Sequence, residues 1–409
     1  MIKRKILDDL TKAMKKKEIL ALIGSRQVGK TTLMNYFYEN LTTDKKNFIS
    51  FENQKILSLF ETNIDDFIEE YVKGQEYLFI DEIQYSKTSG KNLKYIYDEY
   101  KLKIVISGSS ATDLSINSLS FLVGRVLVYE IFPLNFEEFL SFRDATLINM
   151  LKRGINEETL PFVENYFEEF LQFGGYPQIT KENTIKEKEN SLKNLVNSYL
   201  LKEIREILSF ENSYEYEKLL EILSIKNGDI LNKSNIASDS GIKLNKIDSM
   251  ISVLEKTYII NLLRPVQVQA IKELIKSPKI YFLDLGFRNA ILENFSKSNL
   301  RVDKGFIYET FVLSELKKQG LKPKFYNYKN SSEVDFIIEK NGKTIAIEIK
   351  SSINNSNIDK SYRTYIEKYK PDSFYILNEK FFEKQEIENT KVIHTHFLNI
   401  VDISKLFDI

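Results

Sequence analysis

Hydrophobic and polar positions along this chain fall into blocks of two kinds. Short apolar runs at Ile19–Ile23, Asn47–Phe51, Tyr77–Asp81, Lys103–Ser107 and Arg125–Ile131 alternate with longer stretches of helical spacing. Such alternation predicts a parallel sheet flanked by helices. From about Asn135 to Phe210 the spacing is helical throughout, as in Phe136, Phe139, Leu140 and Phe167, Phe170, Leu171. Gly174-Gly175 and Pro177 break that region in two. Residues 216–268 read helix, turn, short helix, turn, longer helix, strand, with breaks at Gly228 and Gly241. That order suits a winged helix-turn-helix with Lys243, Lys246, Ser249 and Ser252 facing outward. A helix over Gly305–Gln319 then precedes two alternating strands joined at Asn341-Gly342.

The first apolar run leads into Gly24-Ser25-Arg26-Gln27-Val28-Gly29-Lys30-Thr31-Thr32, which matches G-x-x-x-x-G-K-[ST]. Here a glycine-containing loop between strand and helix points consecutive N–H groups at a phosphate. Lys30 is expected to reach the β- and γ-phosphates, and the Thr31 hydroxyl to ligate Mg²⁺. The expected ligand is ATP, although the loop chemistry alone fits GTP as well. Tyr77-Leu78-Phe79-Ile80-Asp81-Glu82 is an apolar strand ending in two acids. Asp81 is assigned to Mg²⁺ and Glu82 to the attacking water. Ser109, after the run Ile104–Ile106, is a candidate sensor of the γ-phosphate. Arg125 is a candidate for stabilising transition-state charge, in cis or from a neighbouring subunit of a homo-oligomer.

Composition narrows the classes. In 409 residues, Lys plus Arg and Asp plus Glu each number 58, so any nucleic-acid contact rests on local patches and not on a global basic field. There is no Cys, which excludes thiolate chemistry and disulfides, and two His (His394, His396) make a His-rich metal site a poor expectation. The first ten residues lack a signal-peptide core, and no run reaches the roughly 18 apolar residues of a membrane span. A soluble, cytoplasmic protein is expected.

Asn341-Gly342 favours a two-residue type I′ turn. Such a turn sets Lys340 opposite Lys343, Asp335 opposite Glu348 and Glu333 opposite Lys350, all on one face of the hairpin. Facing carboxylates destabilise a sheet, so the pair asks for a counter-ion, with Mg²⁺ or Mn²⁺ the natural hard cations. Lys317, Lys318, Lys322, Lys324 and Lys329 precede the hairpin as candidate phosphate contacts.

Two resemblances rest on these residues. The runs Arg26–Lys30, Phe79–Gln84, Ser107–Ser110, Gly124-Arg125 and Phe132–Phe139, with Gly174–Pro177 and Tyr281–Gly286, resemble prokaryotic AAA-type ATPases of the archaeal ATPase/STAND-related group that carry a C-terminal domain of unknown function. Asp335…Glu348-Ile349-Lys350 resembles the PD-(D/E)xK nuclease superfamily. That likeness implies Asp335 and Glu348 as metal ligands, Glu309 as an auxiliary ligand and Lys350 as the group acting on water. The expected fold is α/β: a P-loop NTPase core (1–134), a helical lid (135–212), a winged helix (213–268), a connector (269–300) and a restriction-endonuclease-like domain (301–409). The expected function is an ATPase whose nucleotide state is coupled to a DNA-binding, Mg-dependent nuclease-like domain. Its alternative is a regulatory ATPase switch whose C-terminal domain only binds a protein partner.

Overall fold

In the computed structural model the described residues are 2–109, 119–208, 213–266, 276–328, 332–353, 355, 358–402 and 407. Side chains at 119–120, 199–208, 213, 328 and 332 are outside the description. The expected Lys329 contact lies outside the described residues. The chain divides into two compact units, residues 1–133 with 251–259, and residues 134–250 with 260–409.

The first unit holds a parallel sheet of β1 (Ile19–Gly24), β2 (Lys46–Ser50), β3 (Tyr77–Asp81), β4 (Lys103–Ser109) and β5 (Val126–Glu130), in spatial order β2-β3-β4-β1-β5. The central strands β1, β3 and β4 are buried along most of their length because parallel sheets cover both faces, and every residue of β4 is buried. One face packs on the helices Gln54–Thr62, Ile64–Tyr71 and Ser89–Glu99 through Phe51, Phe60, Phe67 and Ile96. The helix Lys30–Asn40 buries Leu33, Met34 and Phe37 and lies against β1, β3 and β4. Because all strands run the same way, the C-terminal ends of β1, β3 and β4 share one edge of the sheet. This is the edge where open α/β sheets bind ligands.

In the second unit, Asn135 starts the helix Phe136–Arg143 with a capping box: its side chain accepts from Glu138 N (2.8 Å), and Glu138 Oε2 accepts from Asn135 N (3.1 Å). The Asn135–Phe139 run therefore has a helix-starting role. Phe136 and Phe139 join Phe167 and Phe170 of the helix Leu160–Phe173, and all but Phe139 pack edge-on to Phe311 of the helix Lys304–Lys318. The segment expected as a lid thus shares an aromatic core with the C-terminal region.

Gly174 and Gly286 form a tight joint in this unit. A Cβ on Gly174 would lie 2.1 Å from Asp284 Oδ1, and one on Gly286 would lie 2.1 Å from the Phe173 carbonyl oxygen. Buried Asp284 accepts from Gly175 N (2.8 Å) and caps the helix Leu285–Ile291 through Phe287 N (3.0 Å).

Helices Ser213–Ile225, Lys233–Ser240 and Leu244–Lys256 precede an antiparallel pair, β6 (Ile260–Leu263) and β7 (Lys279–Phe282). The last sheet contains β8 (Lys324–Tyr328), β9 (Ser332–Lys340), β10 (Lys343–Ile349), β11 (Ser373–Asn378), β12 (Glu383–Ile387) and β13 (Thr390–His396), in order β12-β13-β11-β10-β9-β8. Asn341 (φ 52°) and Gly342 (φ 77°) both take positive φ, as a type I′ turn requires. The ladder sets Lys340 against Lys343 and Phe336 against Ile347.

Candidate functional site

The P-loop closes β1 at the C-terminal edge of the first sheet, and the helix it opens begins at Lys30. Lys30 is buried, and its ammonium donates to the carbonyls of Gly24 and Ser25, each at 2.9 Å. Thr31 Oγ1 donates to Asp81 Oδ2 at 2.8 Å, which joins the helix start to the end of β3. Ser107 Oγ donates to Asp81 Oδ1 and accepts from Glu82 N at 3.4 Å. Glu82 takes a left-handed conformation (φ 55°), and its carboxylate accepts from Gln84 Nε2. The same amide donates to Ser109 Oγ at 3.0 Å, and Ser109 lies beside Gly24 in the sheet. Lys30, Thr31, Asp81, Glu82 and Ser109 are therefore gathered at one place.

Arg125 is not among them. It immediately precedes β5, whose Val126 is level with Ile19, the first residue of β1. Five residues of strand separate that level from Gly24, about 16 Å at strand rise. There Arg125 pairs with Asp98 at 2.8 Å, with a carbonyl bond to Ile19 N. The cis role expected for Arg125 at the phosphates is corrected by this placement: a residue starting a parallel strand sits at the edge opposite the P-loop.

Sequence reasoning missed Arg4 and Gln84 as site residues, and among the hydroxyls ending β4 it chose Ser109 over Ser107. Arg4 is buried, donating to the carbonyls of Val28 (2.9 Å) and Phe132 (2.7 Å), so it ties the P-loop to the segment after β5. No motif marks it. Ser107 had a signal, since residues two apart on a strand share a face and Ser107 lies deeper than Ser109.

A second candidate site is a cavity of about 530 Å³ in the C-terminal unit, lined by Glu309, Glu333, Asp335, Glu348 and Lys350 together with Lys279 and Tyr362. Tyr281 OH donates to Glu309 (2.7 Å), Ile349 N to Asp335 Oδ2 (2.9 Å) and Tyr362 OH to Glu348 Oε1 (2.7 Å). Glu348 Oε2 is buried with no hydrogen-bond partner among the described residues. Lys350 Nζ lies 3.5 Å from Glu348 and above the Tyr362 ring. Burial, with the negative charge of Asp335 beside it, pushes Glu309 up to about 8. Burial also raises Asp335 and, with the Asp335 charge, raises Glu348 well above the usual carboxylate range.

A counter-ion to Glu333 and Asp335 is present as Lys279 on β7, which neither periodicity nor spacing flagged. Its Nζ lies 2.6 Å from Glu333 Oε1 and 3.9 Å from Asp335 Oδ1. Burial disfavours its charge, but the fields of Glu309, Asp335 and Glu333 outweigh that and raise its pKa. Among the described residues, no group of three or more His, Cys, Asp or Glu side chains is arranged to hold a metal ion. As arranged, Glu309, Asp335 and Glu348 do not fit the expected metal site.

Lys318 of the basic run donates to the Leu134 carbonyl at 3.0 Å. Of the residues expected to face outward on a winged helix, Lys246 pairs with Glu215, while Lys243 and Ser249 are exposed. No described helix is long and apolar enough to cross a membrane.

Residues 16–140 match the model of an AAA domain family. Residues 164–298 and 304–398 match two domains of unknown function, DUF8612 and DUF4143. An uncharacterized protein of Methanocaldococcus jannaschii is 28% identical, covering 95% of this chain and 88% of the relative. An uncharacterized protein of Haemophilus influenzae is 23% identical, covering 92% of each chain. Among solved structures, the Aeropyrum pernix Orc1 protein in complex with DNA has a TM-score of 0.31 at 12% identity, covering 70% of this chain and 91% of that one. A Thermotoga maritima RuvB mutant has a TM-score of 0.31 at 17% identity, covering 63% and 86%. The match over residues 16–140, together with the five-stranded parallel sheet and its P-loop, supports an AAA-type P-loop domain in the first unit.

Proposed function

We propose that the protein binds and hydrolyses ATP at the P-loop and couples nucleotide state to its C-terminal unit. The observation carrying this reading is the Thr31–Asp81 hydrogen bond, which brings the P-loop hydroxyl and the β3 carboxylate together. Two oxygen donors in contact fit Mg²⁺, which Thr31 and Asp81 would hold. Bound Mg²⁺ neutralises phosphate charge. Lys30 exchanges its carbonyl partners for the β- and γ-phosphates, and backbone N–H groups from Gly24 to Thr32 surround them. Glu82 orients the attacking water once Gln84 releases it, and Ser109, on the same amide, is placed to register the γ-phosphate.

In this reading the C-terminal unit is a nuclease-like fold that meets DNA. The hairpin register that puts Asp335 and Glu348 on adjacent strands supports the fold. Three helices followed by the β6–β7 pair support a winged helix, with Lys243 and Ser249 on its exposed side. Among the described residues the acids do not form a metal-holding set. That observation favours a second reading, a regulatory ATPase switch whose C-terminal unit binds a protein partner. Fluorescent ATP binding, phosphate release and DNA binding by the purified chain, with and without Lys30→Ala, test both. ATP-dependent DNA binding supports the first reading, nucleotide response without DNA affinity the second, and no ATP binding overturns both.

A further inference from the structure

The position of Lys279 carries an inference that rests on the nuclease-like reading of the second cavity. Its ammonium lies 2.6 Å from Glu333 Oε1 and 3.9 Å from Asp335 Oδ1, in the cavity that Glu309 also lines. The rest of the residue is fixed: its backbone pairs with Leu263 and bridges to Ile230, and its charged end lies over the Phe325 ring at 5.5 Å. Lys279 is buried, so this is not a solvated surface lysine that happens to pass near an acid.

We propose that Lys279 is a tethered cation that autoinhibits the acid cluster, occupying by charge and position the place a divalent ion would take. A hard divalent ion needs oxygen ligands facing it, one or two carboxylates among them. Here Glu333 and Asp335 face an ammonium, and a second cation entering beside it meets like-charge repulsion in a half-enclosed space. The cluster is therefore a latent cation site held closed by Lys279, and a divalent ion enters only at a metal concentration that displaces the ammonium. Lys350 does not serve the same purpose, since it contacts Glu348 alone of the acids, at 3.5 Å.

The test measures Mn²⁺ binding by electron paramagnetic resonance on the nucleotide-free full chain, so that the P-loop site does not contribute. Lys279→Met keeps the apolar stem and removes the charge, and is expected to bind Mn²⁺ at least about tenfold tighter than wild type. Lys279→Arg should bind no tighter than wild type, and adding Asp335→Asn to Lys279→Met should abolish the gain. Equal Asp335-dependent affinity in wild type and Lys279→Met overturns the tethered-cation proposal while leaving the cavity as a metal site. Absence of Asp335-dependent binding in every form overturns the cation-site reading itself, and the proposal with it. A measurement on the wild type alone guards against misfolding of the variant. Saturating Mn²⁺ should free Lys279 and raise its rate of acylation, read by mass spectrometry, and an unchanged rate under Asp335-dependent Mn²⁺ binding overturns the proposal.

Discussion

Thr31 and Asp81 are fifty residues apart in sequence and 2.8 Å apart in the folded chain, hydroxyl to carboxylate. The contact depends on β4 lying between β1 and β3, because Ser107 of β4 holds the other Asp81 oxygen. Asp81→Ala removes both bonds and a proposed Mg²⁺ ligand. It is expected to lower ATP affinity in Mg²⁺ more than in EDTA, and equal loss in both would assign Asp81 a packing role.

Lys30→Ala should abolish measurable ATP binding, since it removes the ammonium that lies beside Gly24 and Ser25 at the phosphate loop. Glu82→Gln keeps the shape and the backbone bond to Ser107, so ATP affinity should persist while turnover falls about 10²-fold or more. Comparing titration with phosphate release separates the two effects. Parallel loss of binding in both variants would remove Glu82 from the water-orienting role.

Arg125→Ala should leave turnover of dilute protein unchanged, because the residue lies at the N-terminal edge of the sheet beside Asp98. Losing this surface ion pair should change stability little. Turnover that falls only at high protein concentration would place Arg125 at a neighbour's phosphates. A fall at every dilution would contradict the position described.

Gly174→Ala and Gly286→Ala each force a Cβ into atoms 2.1 Å away. Each should destabilise the C-terminal unit by about 2 kcal/mol or more, measured by denaturant unfolding. Gly342→Ala, which meets nothing nearby but requires positive φ, should cost less, about 1 kcal/mol. A smaller loss for Gly174→Ala than for Gly342→Ala would refute the account of the joint.

The acid cavity predicts a sign for pH dependence. The Glu309 carboxyl moves from an ordinary 4.5 up to about 8, so the folded chain holds a proton there that the unfolded chain has released. Its stabilising contribution is full below pH 4.5 and is lost as pH rises through about 8. Asp335 and Glu348, also raised, act in the same direction. Thermal unfolding should thus show stability falling from pH 5 to 8, and Glu309→Gln should flatten the slope. An unchanged slope in that variant would locate the titration elsewhere.

Much of this architecture was legible in the chain. The five strands of the first sheet lie within two residues of the apolar runs, and the Gly305–Gln319 helix within one, because buried parallel strands and amphipathic helices write their period directly. The hairpin register followed from one dipeptide whose backbone preference is narrow. The position of Arg125 was also available, since the first residue of a parallel strand lies away from the ligand-binding edge. Lys279 was not. It lies on a strand far in sequence from Asp335, and only tertiary packing brings an otherwise ordinary lysine against the acids.

Arg4, bonded to Val28 and Phe132, makes the P-loop's shape depend on a side chain that lies outside the motif. Nucleotide affinity is then partly a property of how the first turn of chain is seated. A fusion partner or an edit ahead of the helix Leu7–Met14 would act as a remote control on the phosphate site, weakening ATP binding while every motif residue stays in place.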